Sequence, residues 1–429
     1  MNNACVKIIA FGEGGIEASA AACRISTSEG TALDAYAKSG QRDRDLKLIG
    51  KVLASGHNTV TEHAYFTLAF NNVSVLCEQL MIEHRLAAYT VKSRRYVDFS
   101  GAGYVIPEGL GAREASYTRH MDSLFEIYTR LIALGIPRED ARFVLPYCFR
   151  SNFIMSCDAR ELARIVSEMS SGRLSAYPEM KRLGEMLKED LDGRFPGLLA
   201  RVDALRPEKA QSIDRIGEPV KADQRVELIA APQNAGEILK TAMSAAGHED
   251  FTLRELVKSD RPRELEMLNY TFRVRDVSLA CVTHFTRHRI QSLIVPAPVT
   301  ALRRGAYVLP ASVQLNREAL ELYTRAFETN AKAASEFLDS PRVLDYYALA
   351  GNTVDILFTM NARELKHFLR LRTCARAQWE ILGAAREMLA ALTEEYRELF
   401  RYYGPSCAVL GHCPEGRLSC GKPQKLRED

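Results

Sequence analysis

The sequence has almost no net charge. Its 57 Lys and Arg against 54 Asp and Glu leave a formal +3 at pH 7, a balance that does not point to a nucleic-acid or membrane-surface partner. It also lacks any apolar run near the length needed to span a bilayer. No N-terminal stretch joins a basic end, an apolar run and a small-residue cleavage site. These absences predict a cytoplasmic protein. Ten cysteines are present, but none forms the close Cys-Cys pairs that structural zinc favours, and scattered thiols suit a reducing compartment. A dinucleotide fingerprint fails as well: after Gly12-Glu13-Gly14-Gly15 the third glycine would fall at Glu17. Asn72-Val73-Ser74 matches a glycosylation acceptor, which has no meaning in the cytoplasm.

At 429 residues, 47% hydrophobic and 26% charged, the chain predicts two globular domains. Self-comparison supports a duplication. Ile82-Glu83-His84-Arg85-Leu86 resembles Thr286-Arg287-His288-Arg289-Ile290. Asp158-Ala159-Arg160-Glu161-Leu162 resembles Asn361-Ala362-Arg363-Glu364-Leu365 at nearly the same offset. A first copy is expected over residues 1–210, a second over 222–403, and a Cys-containing tail over 404–429. The polar stretch 205–224, with Pro207 and Pro219, reads as the linker. Residues 65–70 and 270–274 read as β-strands. Helical spacing predicts helices over 113–134, 158–169, 315–338, 362–371 and 376–400. The fold class expected is α+β in both halves.

Two clusters could carry chemistry. Arg287-His288-Arg289 follows an apolar helix, and three such groups in a row cannot all face a core, because burying unpaired charge is costly. They frame an anion or an electron-rich ring, or they form a solvated turn. The second cluster is Asn361-Ala362-Arg363, His367, Arg372, Arg376 and Gln378-Trp379-Glu380. Guanidinium groups on one helix bind phosphate or carbonyl oxygens, or else pair with acids, of which Glu364 and Glu380 are the nearest in sequence. Ser93-Arg94-Arg95-Tyr96 would make a phosphate cradle or an ordinary basic loop.

Taken together these segments resemble the flavin-dependent thymidylate synthases. That family carries an Arg-His-Arg motif, a Ser-x-Arg-Tyr segment, Asn-Ala-Arg, and a run ending near Ala-Gln-Trp-Glu. The first half matches at Ala22-Cys23-Arg24-Ile25-Ser26, Gly56-His57, Thr59, Glu62-His63, Gln79, Ser93-Arg94-Arg95-Tyr96 and Pro137-Arg138-Glu139-Asp140-Ala141-Arg142. The second matches at Arg287-His288-Arg289 and from Asn361-Ala362-Arg363 to Ala377-Gln378-Trp379-Glu380-Ile381. The departures divide between the halves. The first has Glu83 for the leading motif arginine, Val91 for a glutamate, Asp158 for asparagine, and Arg164, Met169 and Arg173 at the later positions. The second has Ala297 and Val299 for the serine and arginine, Asp345 opposite Arg142, and His284 for the glutamine.

The resemblance implies FAD, with NADPH and methylenetetrahydrofolate as co-substrates, and reductive methylation of dUMP to dTMP. It implies that Gln79, Ser93, Arg95 and Arg142 hold the nucleotide phosphate, and that Arg372 stands beside the pyrimidine. Arg372 and Ser93 are the expected catalytic residues. Ser26, His57, Thr59, Glu62, Arg287, His288, Arg289, Asn361, Arg363 and His367 are the expected cofactor residues. Because the family's sites are shared between subunits of a homotetramer, the resemblance further implies composite sites formed from unlike halves, in a homodimer that makes a pseudo-tetramer. The alternatives are a flavin enzyme acting on another pyrimidine nucleotide and a non-catalytic flavin- or nucleotide-binding protein. In the tail, Cys407, Cys413 and Cys420 with His412 form a weak zinc candidate whose spacing fits poorly.

Overall fold

The computed structural model describes residues 4–201, 219–220 and 225–426, so the expected linker lies outside them apart from Pro219–Val220. The chain divides into two compact units. Unit 1 holds Met1–Arg130, Leu145–Ser212 and Ala333–Tyr347, and unit 2 holds Leu131–Val144, Ile213–Lys332 and Ala348–Asp429.

Unit 1 is built on the strands β1 (Cys5–Phe11), β2 (Tyr65–Ser74), β3 (Ala87–Val91) and β4 (Arg150–Asp158), in the order β1-β2-β4-β3. Every neighbouring pair in that sheet is antiparallel. In β2 the run Tyr-Phe-Thr-Leu-Ala-Phe alternates: Phe66, Leu68 and Phe70 are buried, and Tyr65 is exposed. This is the period of a sheet with one covered face. The strand outlasts its expected end at residue 70 because Asn72 adopts a positive φ of 53° at a bulge, where the register with β4 shifts between Phe70 and Val73. Ser74 then stops the strand and starts a helix, its side chain accepting from the Cys77 amide to cap Val75–Ile82.

Unit 2 has β5 (Pro219–Val220) paired in parallel with β9 (Tyr307–Val308), and the four strands β6 (Arg225–Ala230), β7 (Asn269–Ser278), β8 (Ser292–Ile294) and β10 (Thr353–Asn361). Their order, β6-β7-β10-β8, repeats that of unit 1. Asp276 takes the place of Asn72 with φ 55°, and Ser278 caps the helix Leu279–Thr286 through the Cys281 amide. The duplication inferred from short motifs is therefore a duplication of topology, bulge and cap.

Four of the expected helices occur with ends displaced by up to four residues: Glu114–Ala133, Ala159–Ser170, Arg317–Ala334 and Ala362–Arg372. The helix expected over 376–400 begins at Trp379, where the Gln378 side chain caps it by accepting from the Glu380 and Ile381 amides. It is broken at Tyr396, whose φ of −146° and ψ of 74° are not helical. The inner strands β4 and β10 have no counterpart among the strands expected from the sequence.

The compact units depart from contiguous sequence copies in two segments. Within unit 2, the segment Leu131–Val144 is held by the Gly351 amide donating to the Phe143 carbonyl at 2.8 Å. Within unit 1, Ala333–Tyr347 is held by the Cys148 amide donating to the Tyr346 carbonyl at 3.2 Å. These are the same bond at the duplicated positions. Each unit thus takes one segment from the other copy's sequence. Gly351 has no room for a side chain, since a Cβ there would meet Phe327 Cζ at 2.8 Å and the Phe143 carbonyl oxygen at 3.1 Å.

The tail begins with the short helix Ser406–Leu410, tied by the Ser406 hydroxyl to the Arg370 carbonyl at 3.4 Å. Cys407, Cys413 and Cys420 are not gathered: among the described residues no group of three or more His, Cys, Asp or Glu is placed to hold a metal. Cys407 Sγ instead accepts from the Gln424 amide at 3.4 Å. Cys407 lies on that helix while Cys413 and Cys420 lie in the irregular chain beyond it, which corrects the zinc candidate. All ten cysteines are free thiols. Among the described residues, no helix is long and apolar enough to cross a membrane.

Candidate functional site

In unit 2 the Arg-His-Arg motif follows directly on the helix Leu279–Thr286. The turn splits the three residues: His288 is buried, while Arg287 and Arg289 on either side are exposed. The buried imidazole lies between two partners on the helix Ala362–Arg372. Glu364 Oε1 stands 3.1 Å from Nδ1, and Arg372 Nε donates to Nε2 at 3.1 Å. A guanidinium can only donate, so Nε2 must be the bare nitrogen and the ring proton must sit on Nδ1, donating to Glu364. The electrostatics agree. Burial pushes the His288 pKa down to about 2, helped by Arg372, His367 and Arg287. Burial likewise raises the Glu364 carboxyl to about 7. Arg372 is fixed a second time by donation from Nη2 to the His284 carbonyl at 3.3 Å. His367 is exposed, and its ring meets that of His288 at 5.7 Å.

A neutral His288 has a direct signature. Its imidazole carbon proton resonances should lack the full protonation shift that an ordinary histidine shows between pH 5 and 8, moving only by the smaller amount expected as the bonded Glu364 titrates near 7. In Arg372→Leu the pKa should move upward, because one of the causes lowering it is gone. A normal titration of His288 in the unsubstituted protein would contradict this arrangement.

Asn361 and Arg363 carry local duties as well. Asn361 caps its helix, accepting from the Glu364 amide at 2.8 Å. Asp158 does the same in unit 1 through the Glu161 amide at 2.8 Å, which is why aspartate is tolerated there. Arg363 pairs with Glu266. The same ion pair in unit 1 joins Arg160 to Glu62 at 2.5 Å. Neither acid is near its arginine in sequence, so the apparent shortage of acids around the cluster was a shortage in sequence only.

Unit 2 also receives Arg142, on the segment that belongs to the first copy's sequence. Arg142 is buried at 3% exposure and lies close enough to Glu380 to offset that carboxyl's rise. Glu380 is fully enclosed, and burial raises its pKa to about 7. It accepts from the Ser278 amide at 2.7 Å and from the Ser278 hydroxyl. The neighbouring Asp140 accepts from the Trp379 indole at 2.7 Å and the Ser312 hydroxyl at 2.5 Å.

In unit 1 the corresponding centre has changed character. His84 is buried among carboxylates, 3.4 Å from Glu161 and 4.0 Å from Glu168. Arg164 spans both acids at 2.7 and 2.6 Å. Met169, fully buried, stands where Arg372 stands in unit 2. What unit 1 retains is the Ser93–Tyr96 loop. Arg94 turns inward to Glu78 at 2.8 Å, and the Ser93 hydroxyl accepts from the Arg95 amide at 3.3 Å. Ser26, His57, Thr59 and Glu62 are all exposed.

The family model described as thymidylate synthase complementing protein matches residues 7–197 and again 219–396. The chain belongs to that family. Among curated relatives, the flavin-dependent thymidylate synthase of Clostridium tetani is 31% identical over 196 residues, which is 41% of this chain and 78% of its own. The Geobacter sulfurreducens enzyme is 33% identical over 195 residues, 44% of this chain and 83% of its own. The Thermococcus onnurineus enzyme is 37% identical over 174 residues, 36% of this chain and 68% of its own. Each match spans less than half of this chain, as a double-length member of the family requires.

Family membership sharpens what the motifs alone had blurred. Gln79 and His284 are not equivalent. The cap serines Ser74 and Ser278 start identical helices, and in that register Gln79 answers to Thr283 and His284 to Leu80. Gln79 is buried at 4% exposure, with both amide atoms lacking a partner among the described residues. Glu364, which orients His288, was visible only as a nearby acid. Its position one turn into a helix capped by Asn361 is the signal that would have found it.

Proposed function

We propose that the protein is a flavin-dependent thymidylate synthase, converting dUMP to dTMP with methylenetetrahydrofolate as carbon donor and NADPH as reductant of the flavin. The observation that carries this reading is the neutral His288 held between Glu364 and Arg372, with exposed Arg287 and Arg289 beside it. With both nitrogens of His288 engaged, the exposed Arg287 and Arg289 are the donors that suit a ring system bearing carbonyl groups, and FAD would supply the hydride that completes the methyl group. Arg287, His288, Arg289 and His367 are the residues for the flavin. Arg372 donates to a pyrimidine carbonyl oxygen and stabilises the negative charge that develops there. Ser93, Arg95 and Arg142 take the phosphate and so orient the ring, while Gln79, one position off the family's glutamine in the register set by Ser74 and Ser278, is left out of that set. No cysteine attacks the substrate.

Neither copy carries a full set. The first lacks Arg372, and the second lacks the serine and arginine of the phosphate loop, having Ala297 and Val299 there. Both copies are therefore required. The reading includes a homodimer organised as a pseudo-tetramer with composite sites, and a cytoplasmic location in keeping with ten free thiols.

The first test is the visible spectrum of the purified protein after incubation with FAD and gel filtration, followed by titration with dUMP. Retained flavin whose spectrum shifts on adding dUMP supports the reading, and failure to retain flavin would remove it. A division of labour follows. Arg95→Ala should weaken dUMP binding about tenfold, the scale of one charge-assisted hydrogen bond, with flavin retained. Arg363→Ala should loosen flavin with less effect on dUMP. Equal flavin loss in both variants would count against the division.

A further inference from the structure

The two units differ at one kind of buried feature that neither fold requires. In unit 1, Glu78 is fully buried and accepts from Arg94 at 2.8 Å and from the Ser151 hydroxyl. At the duplicated positions unit 2 has Val282, Pro298 and Val354. In unit 2, Asp140 is buried at 6% exposure and accepts from Trp379 and Ser312. At the duplicated positions unit 1 has Val343, Pro178 and Gly109. In both comparisons a carboxylate and both of its donors are replaced together by residues without side-chain hydrogen-bonding groups.

Concerted replacement is what physical chemistry demands. Removing one member would leave a buried polar group unsatisfied, whereas replacing all of them with apolar groups is close to neutral. The same topology thus forms with or without either carboxylate cluster. Each cluster survives only beside a basic residue that its own unit alone carries. Glu78 grips Arg94, between Ser93 and Arg95. Asp140 lies two residues before Arg142, on the short helix Arg138–Ala141 that leads into it. The clusters track the phosphate-binding residues, not the fold.

We infer that Glu78 and Asp140 are positioning residues that hold the Ser93–Arg95 loop and Arg142 in place for the nucleotide's 5′-phosphate. The inference rests on the functional reading above. Neither carboxylate touches the phosphate. Each fixes the backbone from which a phosphate-binding side chain extends, so its loss costs recognition of the phosphate and leaves recognition of the base.

The test compares dUMP with deoxyuridine, which lacks the phosphate, by calorimetric titration of the flavin-loaded full chain. The ratio of the two Kd values measures phosphate preference alone. Asp140→Val combined with Trp379→Phe removes the anchor without orphaning an indole, and should reduce that preference about tenfold. Ser312→Ala, a milder change that removes one donor, should reduce it about threefold. Asp140→Asn keeps an acceptor for the indole and should restore most of the preference. Glu78→Val with Arg94→Leu and Ser151→Val should act as the first double variant does. Variants with a lower Tm but an unchanged preference would overturn the proposal and leave the enzyme reading intact. An unsubstituted protein that binds neither ligand would overturn both.

Discussion

Replacing Arg372 with leucine should lower turnover by about a hundredfold to a thousandfold, the cost of removing one preorganised donor at a developing oxyanion, while flavin and dUMP still bind. The reason lies in how the guanidinium is held. Nε donates to His288 and Nη2 to the His284 carbonyl, so two of its nitrogens are committed and the group's direction is set before substrate arrives. Donors fixed in this way need no reorganisation as charge develops. The loss should appear in single-turnover dTMP formation from pre-reduced enzyme, with the Kd for dUMP changed far less. At the duplicated position the residue is the buried Met169, and Met169→Leu, a swap of similar volume, should leave turnover unchanged. A loss below tenfold in Arg372→Leu would place this residue outside the reacting centre.

Arg142→Gln should weaken dUMP about tenfold to a hundredfold, since a hydrogen bond to a charged group contributes about 1.5–3 kcal/mol. Flavin should stay bound. A second effect is expected on stability. Glu380 has its carboxyl raised to about 7 by burial, and Arg142 is among the groups that hold it from rising further. A carboxyl raised in the folded state contributes stability that is fully present below its unfolded value and is lost as pH rises through its folded value. Removing Arg142 raises the folded value again. Denaturant titrations between pH 5 and 8 should therefore show the variant losing more stability towards pH 8 than the parent does. Asp345, which occupies the duplicated position in unit 1, accepts from the Tyr177 hydroxyl at 2.8 Å. Asp345→Asn should leave dUMP affinity unchanged. Weakened dUMP binding in that variant would contradict the assignment of phosphate recognition to Arg142.

What was legible in the sequence was whatever short-range chemistry controls. Helical spacing located five helices to within about five residues but not Pro178–Arg194 or Arg42–Ala54, and the alternation in residues 65–70 located β2. The paired motifs at His84 and His288 revealed the duplication. The inner strands β4 and β10 were missed although they alternate buried and part-exposed positions, because apolar Ile154 and Leu357 on the outward side join Phe153-Ile154-Met155 and Ile356-Leu357-Phe358 into continuous apolar runs that hide the period of two. The assignment of Arg142 to unit 2 was beyond local reasoning, since it depends on a segment leaving its own copy. So were the acids that engage the basic residues. Glu266 pairs with Arg363, and Glu62 with Arg160, across long stretches of chain. The one-residue slip between Gln79 and His284 came from matching residue type alone, since the pairing of His84 with His288 and the shared serine caps both set Gln79 opposite Thr283.

Within the site, residue types were easier to read than states. Arg287, His288 and Arg289 stand out in the sequence as a motif, yet their alternation between exposed and buried comes from the turn. The neutral form of His288 follows from burial and from the Arg372 contact, neither of which a linear sequence displays.

The central claim is that this double-length chain, with its functional residues divided between two copies, is a working thymidylate synthase. Its most direct test is anaerobic: load the protein with FAD, reduce it with NADPH, add dUMP and methylenetetrahydrofolate, and follow flavin reoxidation and nucleotide products together. Flavin reoxidised in step with dTMP formation is the predicted result. Reduced flavin that stays reduced, with dUMP recovered unchanged, would contradict it.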